Sequence, residues 1–278
     1  MIVLNVGMGQ QSSALLIASA LELTINGFAF PRLDLAQFSD TGNEMRATYA
    51  ALKVARAWCD ARGVRFDVVR KEETSLWDAQ VQRVKGKRSS VGAVPMYTTD
   101  EHGHTGKRPK HCSRDWKVRP LERHAKRVAN GRHVELWIGY DRDEFIRRGR
   151  TMRLPDGWTV RYPLAEAGMT RTDCRDLVYS HWGIDIVSSA CVACPFRGIH
   201  GHGWGWRWMK ERHLEDYAEA VRYDLALRDQ RTAGLKAPAY LVRGGIPLEE
   251  AVDAAQRQGD LFSYVAPSET CDDGGCWT

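Results

Sequence analysis

Apolar and polar positions alternate with two different periods over the first 70 residues. Residues 2–6 form a β-branched run, residues 12–23 carry apolar side chains at helical spacing, and residues 35–38 are apolar again. This is a βαβ pattern. Residues 45–61 place Ala50, Leu52, Val54, Ala55 and Trp58 at helix-like intervals, and after Gly63 residues 64–69 return to strand character. An α/β fold is expected, with a Rossmann-like parallel sheet and helices on both faces.

Beyond this region, residues 85–111 are rich in Gly, Lys, Arg, Ser and His with little periodicity, which predicts a surface loop. Residues 134–140 read as a strand, and residues 170–182 as a helix opened by a Thr170-x-x-Asp173 cap. A Cys-, Gly- and Trp-rich stretch follows to Trp208, then a long helix to about Asp229. No repeat or clear linker separates a nucleotide-binding part, residues 1–197, from a Cys-rich helical extension, residues 198–278. One compact unit is expected.

The 278 residues are 43% hydrophobic and 27% charged, too apolar for a disordered chain. The best membrane candidate, residues 14–23, is half of the roughly 20 residues a span needs and contains Ser19 and Glu22. The first residues lack the basic start of a signal peptide. A cytoplasmic protein with no membrane partner is expected, whose seven cysteines suit metal or redox chemistry better than disulfides. Net charge is +5, yet residues 107–153 hold 15 Lys and Arg against 6 Asp and Glu, so an anionic ligand is expected there. Lys107, Arg108 and Lys110, with Lys85, Lys87 and Arg88, alternatively suit a nucleic-acid backbone.

Two segments carry candidate binding chemistry. Gly7-Met8-Gly9-Gln10-Gln11-Ser12-Ser13 joins a strand to a helix, where glycine lets the backbone approach an anion and first-turn N–H groups and hydroxyls bind it. The same turn can also be only a turn. Asp40, before Thr41-Gly42, ends the second strand, where it would meet a ribose or base or cap the next helix.

These segments resemble the phosphoadenosine phosphosulfate reductase family, within the PP-loop adenine-nucleotide enzymes. The first loop is similar to that family's sulfonucleotide loop, and Asp40-Thr41-Gly42 with Thr48-Tyr49 to its Asp-Thr-Gly segment. Cys112-Ser113-Arg114-Asp115-Trp116-Lys117-Val118-Arg119-Pro120-Leu121 resembles its Cys-led Arg-Lys-Val-x-Pro-Leu stretch, with Trp116 in place of Arg. Ile138-Gly139-Tyr140 with Glu144, Arg147 and Arg148, then Tyr162-Pro163-Leu164 and Cys191-x-x-Cys194-Pro195, follow in the family's order. ATP-cleaving relatives carry Asp where this chain has Gln11. An amide can donate directly to a sulfate or phosphate oxygen, whereas Asp beside a triphosphate suits Mg²⁺. The sulfonucleotide branch is therefore favoured, with Lys117, Arg147 and Arg148 as further anion contacts.

The resemblance implies a [4Fe–4S] cluster on Cys112, Cys191 and Cys194, with the fourth ligand open among His111, Cys174, Cys271 and Cys276; zinc suits the same donors. It also implies that Cys271, on a C-terminal tail, attacks the sulfur of a bound sulfonucleotide and that Cys276 resolves the product, with a thioredoxin-like thiol donor. Tail cysteines serving as metal ligands are the alternative. Two other function classes stay open: an ATP-dependent PP-loop sulfurtransferase or adenylating enzyme, and a non-catalytic metal-knuckle protein that binds nucleic acid.

Overall fold

The computed structural model describes residues 1–71, 74–84, 94–144, 154–186, 189–200, 204–228 and 237–257. Strand β1 (Ile2–Asn5) leads into helix α1 (Gln10–Ala20), followed by a small hairpin, β2 (Thr24–Ile25) and β3 (Phe28–Ala29). Next come β4 (Leu35–Asp40), α2 (Arg46–Asp60), β5 (Phe66–Arg70), α3 (Leu76–Val84) and a second hairpin, β6 (Tyr97–Thr99) and β7 (Thr105–Lys107). A π-helical turn, Ser113–Val118, runs into α4 (Arg119–Ala129), before β8 (Val134–Trp137), β9 (Trp158–Arg161), α5 (Pro163–Glu166) and α6 (Arg171–Trp182). The C-terminal region adds α7 (Trp206–Arg212), α8 (Leu214–Ala226), β10 (Ala239–Tyr240) and α9 (Leu248–Arg257).

The central sheet has the order β5-β4-β1-β8-β9, and every neighbouring pair is parallel. Strands β1 and β4 are buried on both faces, as a parallel sheet covered by helices requires, and their polar Asn5 and Gln37 are bonded to each other at 2.8 Å. On one face Leu4, Ala36 and Phe38 pack under Leu15, Leu16 and Ile17 of α1 and Cys174, Val178 and Trp182 of α6. Helix α1 is buried from Ser12 to Ala20, so its sequence is apolar or small on every side and gives no amphipathic stripe. Ala125 and Ala129 of α4 cover the other face with Val3, Leu35, Val134 and Leu136. The sheet is thus flanked on both sides, as the periodicity implies.

A third cluster joins Trp77 and Trp116 to Val192, Ala193, Trp206, Tyr217, Tyr223, Leu248 and Val252. The C-terminal helices therefore share a core with residues of the first part of the chain. Among the described residues no helix is long and apolar enough to cross a membrane.

Two expectations need correction. The stretch expected to be loop contains the β6–β7 hairpin in its described part, with β6 also paired to β10. Val94 and Met96 anchor it in the third cluster, while Thr105–Lys107 is wholly exposed, so β7 shows no alternation in its sequence. The long helix expected after Trp208 is interrupted at His213, whose backbone (φ −138°, ψ 58°) is not helical and separates α7 from α8. The His213 ring packs on Trp208, with centroids 4.5 Å apart, and burial holds its pKa below the usual imidazole range.

Candidate functional site

Strand order reverses between β1 and β8, and ligands of open α/β sheets bind at the carboxyl ends of strands flanking such a reversal. The loop after β1 and residues 138–141 after β8 meet at this point. Gly139 lies so close to α1 that a Cβ there would stand 2.9 Å from both the Cα and the N of Ser12. Two residues later, Asp141 is buried and accepts hydrogen bonds from Gln11 Nε2 at 2.9 Å and from the Glu144 amide at 2.8 Å. Asp141 is a site residue that the motif reading missed. Its signal lay in its place just past the end of the fourth strand of the sheet, where topology, unlike local spacing, points.

Within the loop, Gly7 N donates to Ser12 Oγ at 3.2 Å and Ser12 Oγ donates to Gly9 O at 3.3 Å, which closes the turn on itself. The left-handed conformation falls on buried Met8 (φ 57°) and not on a glycine. A non-glycine residue there costs about 1–2 kcal/mol, strain of the kind that collects at binding loops. Gly9 precedes α1 without a side-chain cap, so no side chain of its own occupies the N-terminal amides. Ser13 Oγ is completely buried and has no hydrogen-bond partner among the described residues, a deficit of about 1–3 kcal/mol that a ligand oxygen would relieve. Gln10 holds the opposite wall: its amide donates to Ile186 O at 3.2 Å, and its carbonyl accepts from Arg171 at 3.3 Å.

Beside Met8 opens a cavity of about 230 Å³ between α2 and residues 184–186. Ala47, Ala50, Ala51, Val54, Ile184 and Ile186 give it apolar walls, and Thr48 and Asp185 supply polar atoms. Small residues on α2 create the space.

Asp40 accepts from Gly42 N at 2.8 Å and from the Tyr49 hydroxyl at 2.7 Å. It does not cap the following helix, because Met45 occupies that position. Burial, and then the bond to Asp40, push the Tyr49 hydroxyl well above the usual phenol range, so it stays protonated as a donor. Gly42 (φ +75°) requires glycine, since a Cβ would meet Arg70 Nη2 at 2.7 Å. Thr41 Oγ1 donates to Glu44 at 2.9 Å, and Lys117 pairs with the same carboxylate at 3.2 Å, both partners being largely buried. Lys117 therefore braces the Asp40–Glu44 loop from the π-helical turn, and Ser39 Oγ reaches that turn at Trp116 O, 2.7 Å away.

The cysteine turn docks on this same loop. Cys191 forms an antiparallel bridge with Glu44, and Val192 N donates to Asn43 O at 2.7 Å. Cys194 N closes the turn onto Cys191 O at 3.2 Å. Cys112, half-buried as are Cys191 and Cys194, packs against the cluster that contains Val192 and Ala193. Cys174 lies elsewhere, in the core between α1 and α6, and burial pushes its thiol up to about 12. Among the described residues no group of three or more His, Cys, Asp or Glu side chains is gathered to hold a metal ion. Cys112, Cys191 and Cys194 are thiols of the kind such a centre uses, and two of the candidate fourth ligands, Cys271 and Cys276, lie outside the described residues. Arg147, Arg148, Cys271 and Cys276 lie outside the described residues.

Nearby, Trp206 is fully buried with the Arg197 guanidinium 5.4 Å from its ring, in keeping with packing as the role of this tryptophan. The fold and site define an α/β protein with a five-stranded parallel sheet, a glycine-bearing strand-to-helix loop at its switch point and a cysteine turn docked on the loop after β4. No protein-family model matches the chain, and no curated protein matches it.

Proposed function

We propose that the protein binds an adenine sulfonucleotide at residues 7–13 and carries out thiol-dependent sulfur chemistry on it, as a phosphoadenosine phosphosulfate reductase-like oxidoreductase. The observation that carries this reading is the Glu44–Cys191 bridge, which seats two thiols separated from the loop by some 180 residues of chain against the same end of the sheet. The α1 amides and Ser13 suit the phosphate or sulfate oxygens, and the cavity beside Met8 suits the apolar face of a purine. In the reaction, a tail thiolate, assigned to Cys271, attacks the sulfur of the sulfonucleotide. The nucleotide leaves with the sulfur–oxygen bonding pair, and an S-sulfocysteine forms. Attack by the Cys276 thiolate on the cysteine sulfur then releases sulfite and leaves a disulfide, which an external dithiol reduces.

A [4Fe–4S] cluster, or zinc, on Cys112, Cys191 and Cys194 belongs to this proposal, with its fourth ligand from the tail or His111, and would supply structural and electrostatic support beside the ligand. No step requires it.

One observation favours a second reading, an ATP-using sulfurtransferase or adenylating enzyme. Asp141 brings a buried carboxylate to Gln11, the position where the ATP-cleaving PP-loop enzymes carry Asp, and a carboxylate beside a triphosphate is a ready partner for Mg²⁺.

Anaerobically purified protein incubated with adenylyl sulfate, with its 3′-phosphorylated form, or with ATP and Mg²⁺ separates the two. Sulfite release supports the first reading, pyrophosphate release the second, and inert binding neither. Cys271→Ser should abolish sulfite release and spare nucleotide binding.

A further inference from the structure

We infer that Ser189 is a further binding residue, whose hydroxyl donates to the phosphate or sulfate group held at the N-terminus of α1, an inference that rests on the nucleotide-binding reading of residues 7–13. Contacts on either side fix the chain around Ser189 against the loops after β1 and β4. Before it, Ile186 O accepts from Gln10 Nε2 at 3.2 Å. After it, Cys191 bridges Glu44, and Val192 N donates to Asn43 O at 2.7 Å. Between these anchors, a Cβ on Gly9 would stand 3.5 Å from Ser189 Oγ. The serine hydroxyl therefore faces the residue that opens the helix.

Gly9 leaves that position without a side chain. It is the N-cap of α1, with extended backbone (φ −88°, ψ 167°) that any residue adopts, and the helix has no side-chain cap. The first turn holds no acidic residue, so the partial positive charge of the helix end is not answered within its own turn. One turn on, Ser13 N donates to Gly9 O at 3.1 Å. Helical side chains lean toward the N-terminus, so Ser13 Oγ, completely buried and with no hydrogen-bond partner among the described residues, leans back toward Gly9. Two hydroxyls, one from the helix and one from the segment before the cysteine turn, thus converge on Gly9.

Backbone amides of one helical turn serve one side of a tetrahedral oxyanion, and its other oxygens need donors from elsewhere. Ser189 is half-buried, which leaves its hydroxyl within reach of a ligand. Asp141, the carboxyl that approaches the same loop, is engaged by Gln11 Nε2 and by the Glu144 amide. Because Ser189 precedes Cys191 by two residues, its bond to the oxyanion ties the ligand to the segment that carries the cysteine turn.

Calorimetric titration of the full chain with adenylyl sulfate, and separately with ATP, tests this. Ser189→Ala should bind adenylyl sulfate at least about tenfold more weakly, the scale of a hydrogen bond to a charged group, with an unchanged unfolding temperature. Ser189→Thr keeps the hydroxyl and should stay within about threefold of the parent. Gly9→Ser fits sterically, since 3.5 Å to Ser189 Oγ is an ordinary contact, and its own hydroxyl would accept from the first-turn amides. It should lose about tenfold or more in affinity and unfold no earlier than the parent. Parental affinity in Ser189→Ala, an equal loss in Ser189→Thr, or parental affinity in Gly9→Ser would overturn the inference. If the parent binds ATP and not adenylyl sulfate, the same losses measured with ATP support Ser189 and overturn the sulfonucleotide reading; a parent that binds neither overturns both.

Discussion

Gln11 on α1 and Asp141 after β8 are joined by a 2.9 Å hydrogen bond across 130 residues of chain, at the point where the strand order of the sheet reverses. The bond fixes the side-chain orientation of Gln11 and places a buried carboxyl group beside the loop proposed to hold the ligand's phosphate or sulfate. Asp141→Asn keeps an acceptor for one donor and removes the charge. Stability should fall by about 1–2 kcal/mol in urea titrations. Affinity for adenylyl sulfate without metal should rise, because the repulsion is gone, and affinity for ATP should lose its dependence on Mg²⁺.

Gly139 is required by closeness and not by backbone conformation. Gly139→Ala would press a methyl group on the Ser12 backbone at 2.9 Å, and the first turn of α1 would have to move. A loss of about 1–3 kcal/mol is expected, together with weaker nucleotide binding, measured by thermal unfolding and calorimetric titration.

The cavity beside Met8 is wide because α2 presents alanines to it. Ala50 is exposed, so Ala50→Phe should fill the space without disturbing the core. Stability within about 0.5 kcal/mol of the parent and at least tenfold weaker adenosine-nucleotide binding are the expected results. Equal loss of binding to inorganic sulfate would place the effect at the loop and count against a base in the cavity.

Cys59 and Cys174 give the fold an alkaline limit. Burial pushes both thiols from an ordinary 9.0 up to about 12. Between those values the unfolded chain has lost protons that the folded chain retains, so the stability is complete below about pH 9 and declines as pH rises toward 12. The slope is about 1.4 kcal/mol per pH unit for each thiol. Urea midpoints at pH 8, 9 and 10 should show this decline, and a Cys59→Ala/Cys174→Ala variant should flatten it in the 9–10 window.

Much of the scaffold is legible in the residues themselves. The runs ending near Val6, Phe38 and Val69 are strands rich in apolar residues at strand spacing, interrupted by Asn5, Gln37, Arg65 and Asp67, and Thr170 with Asp173 does form a reciprocal cap on α6. The motif loops also fall where a βαβ reading puts them. What local pattern could not convey is pairing across distance. The β6–β7 hairpin is held by β10 from far along the chain, Asp141 acquires its role from strand order, and Lys117, a candidate anion ligand by type, spends its charge on Glu44. The left-handed backbone of the first loop falls on Met8, between its two glycines, where no residue type in the sequence signals it.

Hydrogen–deuterium exchange of the full chain, with and without saturating adenylyl sulfate, tests nucleotide capture at the sheet's switch point most directly. Slowed exchange confined to peptides covering residues 7–20, 40–54 and 184–194 is the expected result. Unchanged exchange in residues 7–20 under conditions where calorimetry registers binding would contradict it.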